Sequence, residues 1–131
     1  MVKEAVASVG KSGIGEIGLH LFHLIGVVPF LLYVSISRSA MPTSVFYTLI
    51  VLGAILILYH GFKGITKYMS GSTYWWINAV HVLIVGPLLL SIGIMGKTTP
   101  RAVYECLLLI TFAALGYNLK LLADDVQLFA T

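Results

Sequence analysis

Four histidines, His20, His23, His60 and His81, are the residues of this chain best suited to chemistry, and all of them fall in or beside long apolar stretches. A neutral imidazole offers one N–H and one lone pair. It can ligate a haem iron or another transition metal, pass a proton, or tie one helix to the next by a hydrogen bond. Tyr59, Asn78, Tyr117 and Asn118 are further polar side chains in comparable surroundings. Ionisable groups within an apolar span are costly and point to function by default.

The elements that must position these groups are four apolar runs, at about 18–37, 44–66, 73–95 and 101–122. Each is near the roughly 20 residues that a helix needs to cross the hydrocarbon of a bilayer. Short connections at Arg38 to Thr43, Lys67 to Ser72 and Gly96 to Pro100 force antiparallel neighbours. The expected fold is therefore an all-α, four-helix transmembrane bundle made of two helical hairpins.

The hairpins repeat each other. Residues from His23 read HLIGVVPFLL and those from His81 read HVLIVGPLLL, an offset of 81 − 23 = 58 residues. Without a gap, the same offset pairs Pro29 with Pro87, Pro42 with Pro100 and Tyr59 with Tyr117, and lays His20 on Asn78 and His60 on Asn118. Two proline pairs, a histidine pair and a tyrosine pair in one register indicate duplication of a unit. A unit of two crossings keeps its orientation, so the halves are expected to be related by a pseudo-twofold axis along the membrane normal. The expected organisation is an N-terminal surface segment at 1–17, hairpin repeats at 18–66 and 73–124 joined by a linker at 67–72, and a C-terminal tail at 125–131.

Composition agrees. Of 131 residues, 59% are hydrophobic and only 10% charged, against roughly a quarter charged in an average globular chain; the mean hydropathy is +0.99. This is an integral, multi-pass membrane protein by composition. The net charge of +3 is spread along the chain without a basic run suited to nucleic acid. Lys3, Lys11, Lys63, Lys67 and Lys120 lie on the side of the termini, and Arg38, Lys97 and Arg101 on the other. This bias places both termini on the cytoplasmic or equivalent side.

Local signals add detail. Gly13 to Gly18 spells G-x-G-x-x-G, but no strand precedes it, so it reads as a hinge into the membrane. Residues 1–16 have an amphipathic spacing at Val2, Ala5, Val6 and Val9. Pro42 and Pro100 suit the first turns of the second and fourth helices, with Thr99 as a cap. Pro29 and Pro87 lie inside helices and are expected to kink them. Phe46, Tyr47, Tyr74, Trp75, Trp76 and Tyr104 suit interfacial belts, with one tryptophan turned inward. Gly53, Ala54, Ala113, Ala114 and Gly116 suit close helix contacts. Arg101 and Glu105 suit a surface pair. The lone Cys106 excludes an internal disulfide and is expected to pack rather than react; no metal motif and no catalytic constellation is visible.

In such a bundle His20, His23, His60 and His81 arrive at one depth near the termini, together with Tyr59, Asn78, Tyr117 and Asn118, as one polar layer. Two readings follow. In the first, the layer is an interhelical hydrogen-bond network, and the protein is a structural or accessory subunit of a larger membrane assembly, associating with lipid, with other membrane subunits or with itself. In the second, His23, His60 and His81 ligate a haem or pigment in a small electron carrier. A proton relay is a third use, weakened by the absence of Asp or Glu deep in the spans.

The repeated H-x5-P-x-L-L unit, with second helices ending in Tyr59-His60 and Tyr117-Asn118, resembles short, uncharacterised hairpin proteins of large algal DNA viruses over residues 20–121. The resemblance implies a structural protein of a virion or host membrane. It carries over no catalytic or ligand residue.

Overall fold

A computed structural model of the chain describes residues 14–130, with side chains through residue 127. The architecture is all-α, with four helices and no strand among the described residues. These are α1 (Ile14–Ala40), α2 (Thr43–Met69), α3 (Trp75–Thr98) and α4 (Arg101–Ala130). Every one is long and apolar enough to cross a membrane, and only 17% to 28% of the most apolar window of each is buried. Few side chains in these windows are fully buried.

The helices outrun the expected spans. Helix α1 is already helical at Ile14, so Ile14 to Gly18 forms a helical turn and not a loop. The remainder of the N-terminal segment lies outside the described residues. Helix α2 absorbs Lys67 to Met69 of the expected linker, and α4 runs through the expected tail to Ala130. Good helix formers and an exposed Lys120–Asp124 pair one turn apart, with Nζ 2.6 Å from Oδ2, carry α4 onward. Hydropathy marks where apolarity ends, and helicity does not have to end there.

The proline positions explain the irregularities. Just before Pro29 and Pro87 the backbone widens to π-helix, at His23–Val27 and His81–Val85. The Val28 N–H reaches the His23 carbonyl and the Gly86 N–H reaches the His81 carbonyl, each five residues back. A proline ring cannot sit against the carbonyl four residues earlier, and one extra residue in the preceding turn relieves that clash. The other ends of α1 and α3 also match, closing in 3-10 turns at Arg38–Ala40 and Gly96–Thr98. Arg38 and Gly96 both take positive φ, 51° and 55°. Glycine holds that conformation readily, whereas a side chain costs about 1–2 kcal/mol there. Pro42 and Pro100 stand just ahead of α2 and α4, their carbonyls accepting from Val45 and Val103 at 3.0 Å in each case. Thr99 does not cap α4. Its hydroxyl donates back to the Gly96 carbonyl at 2.6 Å and so closes the end of α3.

The chain divides into two compact units. One comprises residues 34–107 and contains the α2–α3 hairpin; the other comprises residues 1–33 and 108–131. In the first, α2 and α3 run antiparallel and approach through Gly53, Gly86 and Gly93. A methyl group added at Gly93 would lie 2.8 Å from the Phe46 carbonyl oxygen and the Ile50 nitrogen, and one at Gly53 would lie 2.9 Å from the Gly86 oxygen. Only hydrogen fits there, so the backbones touch, the usual route to helix association in lipid. The core of this unit includes Val34, Met41, Phe46, Leu49, Leu89, Ile92, Tyr104 and Leu107. Phe46 and Tyr104 are thus core residues and not members of an interfacial belt. Tyr47, Tyr74, Trp75 and Trp76 stay exposed, neither tryptophan turning inward. Trp75 meets Tyr68 edge-on at 5.6 Å across the end of the hairpin. Cys106 is exposed, contrary to its expected packing role. Arg101 pairs with Glu105 as expected.

In the second unit, Val28, Leu31, Thr111 and Asn118 are buried. Gly116 is exposed and a Cβ added to it would meet nothing within 4 Å. It does not serve the close contact expected of it, because it lies on the outward side of α4.

Candidate functional site

The polar residues of the expected layer separate into two groups, each internal to one unit. In residues 34–107, α2 presents His60 and α3 presents Asn78 and His81. His60 Nδ1 lies 2.9 Å from Asn78 Oδ1. A carbonyl oxygen only accepts, so Nδ1 carries the proton and, in the neutral ring, the lone pair is on Nε2. Gly64, one turn beyond His60, lets Asn78 come this close: a Cβ at Gly64 would lie 3.1 Å from that of Asn78. The imidazoles of His60 and His81 stack, with centroids 4.1 Å apart and planes 12° from parallel. Two ring planes stacked in this way cannot both contain one metal ion, so His60 and His81 do not share a metal in this arrangement.

The other unit repeats the contact with the residue types exchanged. His20 on α1 places Nδ1 3.1 Å from Asn118 Oδ1 on α4. By the 58-residue offset between His23 and His81, His20 corresponds to Asn78 and His60 to Asn118. His20 and His60 therefore each bond the asparagine that stands at the other's equivalent position in this register. Asn118 is itself oriented, its Nδ2 donating to the Ala114 carbonyl at 2.8 Å. Asp125 adds a third member: its Oδ2 lies 3.5 Å from His20 Nε2.

The remaining candidates sit differently. His23 and His81 each turn Nδ1–H back to a carbonyl one turn earlier, Leu19 at 2.8 Å and Ile77 at 2.7 Å. Both therefore carry the Nε2 lone pair, the tautomer that a backbone-bonded metal ligand adopts. Tyr59 is 56% exposed and its hydroxyl accepts from Lys63 at 3.3 Å, so it points away from Asn78. Tyr117 is half-buried.

Asp125 had no place in the expected layer. It was assigned to the tail because apolarity ends near residue 122, yet it follows Asn118 by two helical turns and so shares its face. That spacing was the signal available in the sequence.

An outward-facing apolar groove of about 350 Å³ lies between α2 and α3, with His60, Gly61, Gly64, Trp75, Val82 and Leu83 among its lining residues. The missing side chains at Gly61 and Gly64 hollow it out. The fold and these polar pairs define a multi-pass, all-helical membrane protein with reciprocal His–Asn ties. Comparison with protein-family models, curated proteins and solved structures finds no match for this chain.

Proposed function

We propose that the protein is a structural or accessory subunit of a larger membrane assembly, with no catalytic activity of its own, built from two hairpins related by a pseudo-twofold axis along the membrane normal. The observation that carries this reading is the pairing of polar side chains with one another, His20 with Asn118 and His60 with Asn78. Such bonds register greasy helices at little cost. Recurrence of the π-turns, the 3-10 turns and the positive-φ residues at equivalent repeat positions supports the pseudo-twofold relation. The outward apolar faces and the groove between α2 and α3 offer contact to neighbouring helices or lipid, and a structural role agrees with what the viral hairpin resemblance implies.

The test is mild-detergent purification from the membrane that carries the protein, followed by native mass spectrometry and a visible spectrum. A fixed stoichiometry with other membrane chains or with itself, and no visible chromophore, is expected. His60→Asn, tested in the same preparation, should lower stability by only about 0.6 kcal/mol, the average for an interhelical hydrogen bond in a membrane.

The second reading is a haem- or pigment-binding electron carrier using His23, His60 or His81. The Nε2-acceptor tautomer of His23 and His81 favours it. A stoichiometric chromophore that disappears in His23→Asn would establish this reading in place of the first.

A further inference from the structure

Asn118 spends its Nδ2–H on the Ala114 carbonyl at 2.8 Å, so its oxygen faces His20; the reverse amide orientation would set two carbonyl oxygens against each other. The Asn118 oxygen can only accept, and His20 Nδ1, 3.1 Å away, must donate. The His20 Nε2 then faces Asp125 Oδ2 at 3.5 Å, with the two side chains only 13% and 17% exposed. That carboxylate oxygen is buried and has no hydrogen-bond partner among the described residues. If Nε2 bore only a lone pair, two electron-rich atoms would be held face to face away from water. The contact is attractive only with a proton between them.

We propose that His20 and Asp125 form a proton-binding site, in which one proton bridges Nε2 and Oδ2 and ties α1 to α4. Among the described residues no third histidine, cysteine or carboxylate joins these two as a set that could hold a metal ion. The duplicated site differs where it matters. The position equivalent to Asp125 is Lys67 (125 − 58 = 67), so the His60–Asn78 pair has no carboxylate there and remains a neutral tie. Among the described residues, the other charged or titratable groups on the two helices of this unit are Glu16 and Tyr33, both exposed, and His23 on α1, and Tyr117, Lys120 and Asp124 on α4; Lys120 is paired with Asp124. The site belongs to this chain alone and does not depend on membership of an assembly.

Removal of the bridging proton would leave a lone pair facing a carboxylate oxygen, and the tie would be lost. The experiment is ¹⁵N NMR of the histidine rings, with thermal unfolding, on the full chain in detergent from acid to alkaline pH, for the wild type and Asp125→Asn. In the variant the amide offers Nε2 an N–H in place of the bridging proton. Expected for the wild type is a downward shift in Tm that tracks loss of the Nε2 proton of His20. Expected for Asp125→Asn is a His20 ring with its Nε2 unprotonated and no such shift. A wild-type Tm that is indifferent to the His20 proton, or the same shift in Asp125→Asn, would overturn the proposal.

Discussion

Tyr104 carries a hydroxyl that Phe46, its counterpart in the first repeat, lacks. Both rings are buried, and the Tyr104 hydroxyl finds no partner among the described residues. An unpartnered buried hydroxyl costs about 1–3 kcal/mol, whereas a buried ring without one costs nothing of that kind. Tyr104→Phe is therefore expected to leave stability unchanged or raise it by up to about 1 kcal/mol, read as Tm in detergent. A clear loss would show that the hydroxyl is bonded. At this scale the sequence was informative about residue types and poor about partners. It placed His20, His60, Asn78 and Asn118 in similar surroundings, but hydrogen-bond partners depend on which helix lies beside which.

Between α2 and α3 the contact is made by glycines on both sides. Gly53 was legible as a small residue in an apolar helix; Gly86 and Gly93 were not singled out, because the proline beside Gly86 drew the reading toward a kink. Gly93→Ala should destabilise the hairpin by about 1–3 kcal/mol, the usual range for overpacking a tight core, since its methyl would meet backbone atoms that cannot step aside. Gly116→Leu should be tolerated, because that position is open. Thermal unfolding of the two variants side by side decides the matter, and the opposite order would contradict the assignment. The π-turns belong to this scale as well. Pro29 and Pro87 announced a defect, while its form, a wide turn opening at His23 and His81, depended on how the backbone rebonds.

For the whole molecule, an even number of crossings places both termini on one side of the membrane. In a background of Cys106→Ser, Lys3→Cys and Phe129→Cys should be labelled by an impermeant reagent from the same side, and Lys97→Cys from the other. Labelling of Lys3→Cys and Phe129→Cys from opposite sides would exclude four crossings. The lysine bias predicts that the termini lie on the cytoplasmic or equivalent face, which the same labels in sealed vesicles of known orientation would read directly.

Helix number and apolarity were determined by the sequence alone, because each depends on local composition, and the repeat register is legible there because it needs only residues matching at a constant offset. The α-helical period and the span length need no neighbour. Which polar groups meet depended on the tertiary structure, because a hydrogen bond is set by the rotation and depth of two helices together. The exchange of His and Asn between repeats, the Asp125 carboxylate against His20 and the burial of Phe46 and Tyr104 all follow from those two variables. Neither is encoded in a single helix.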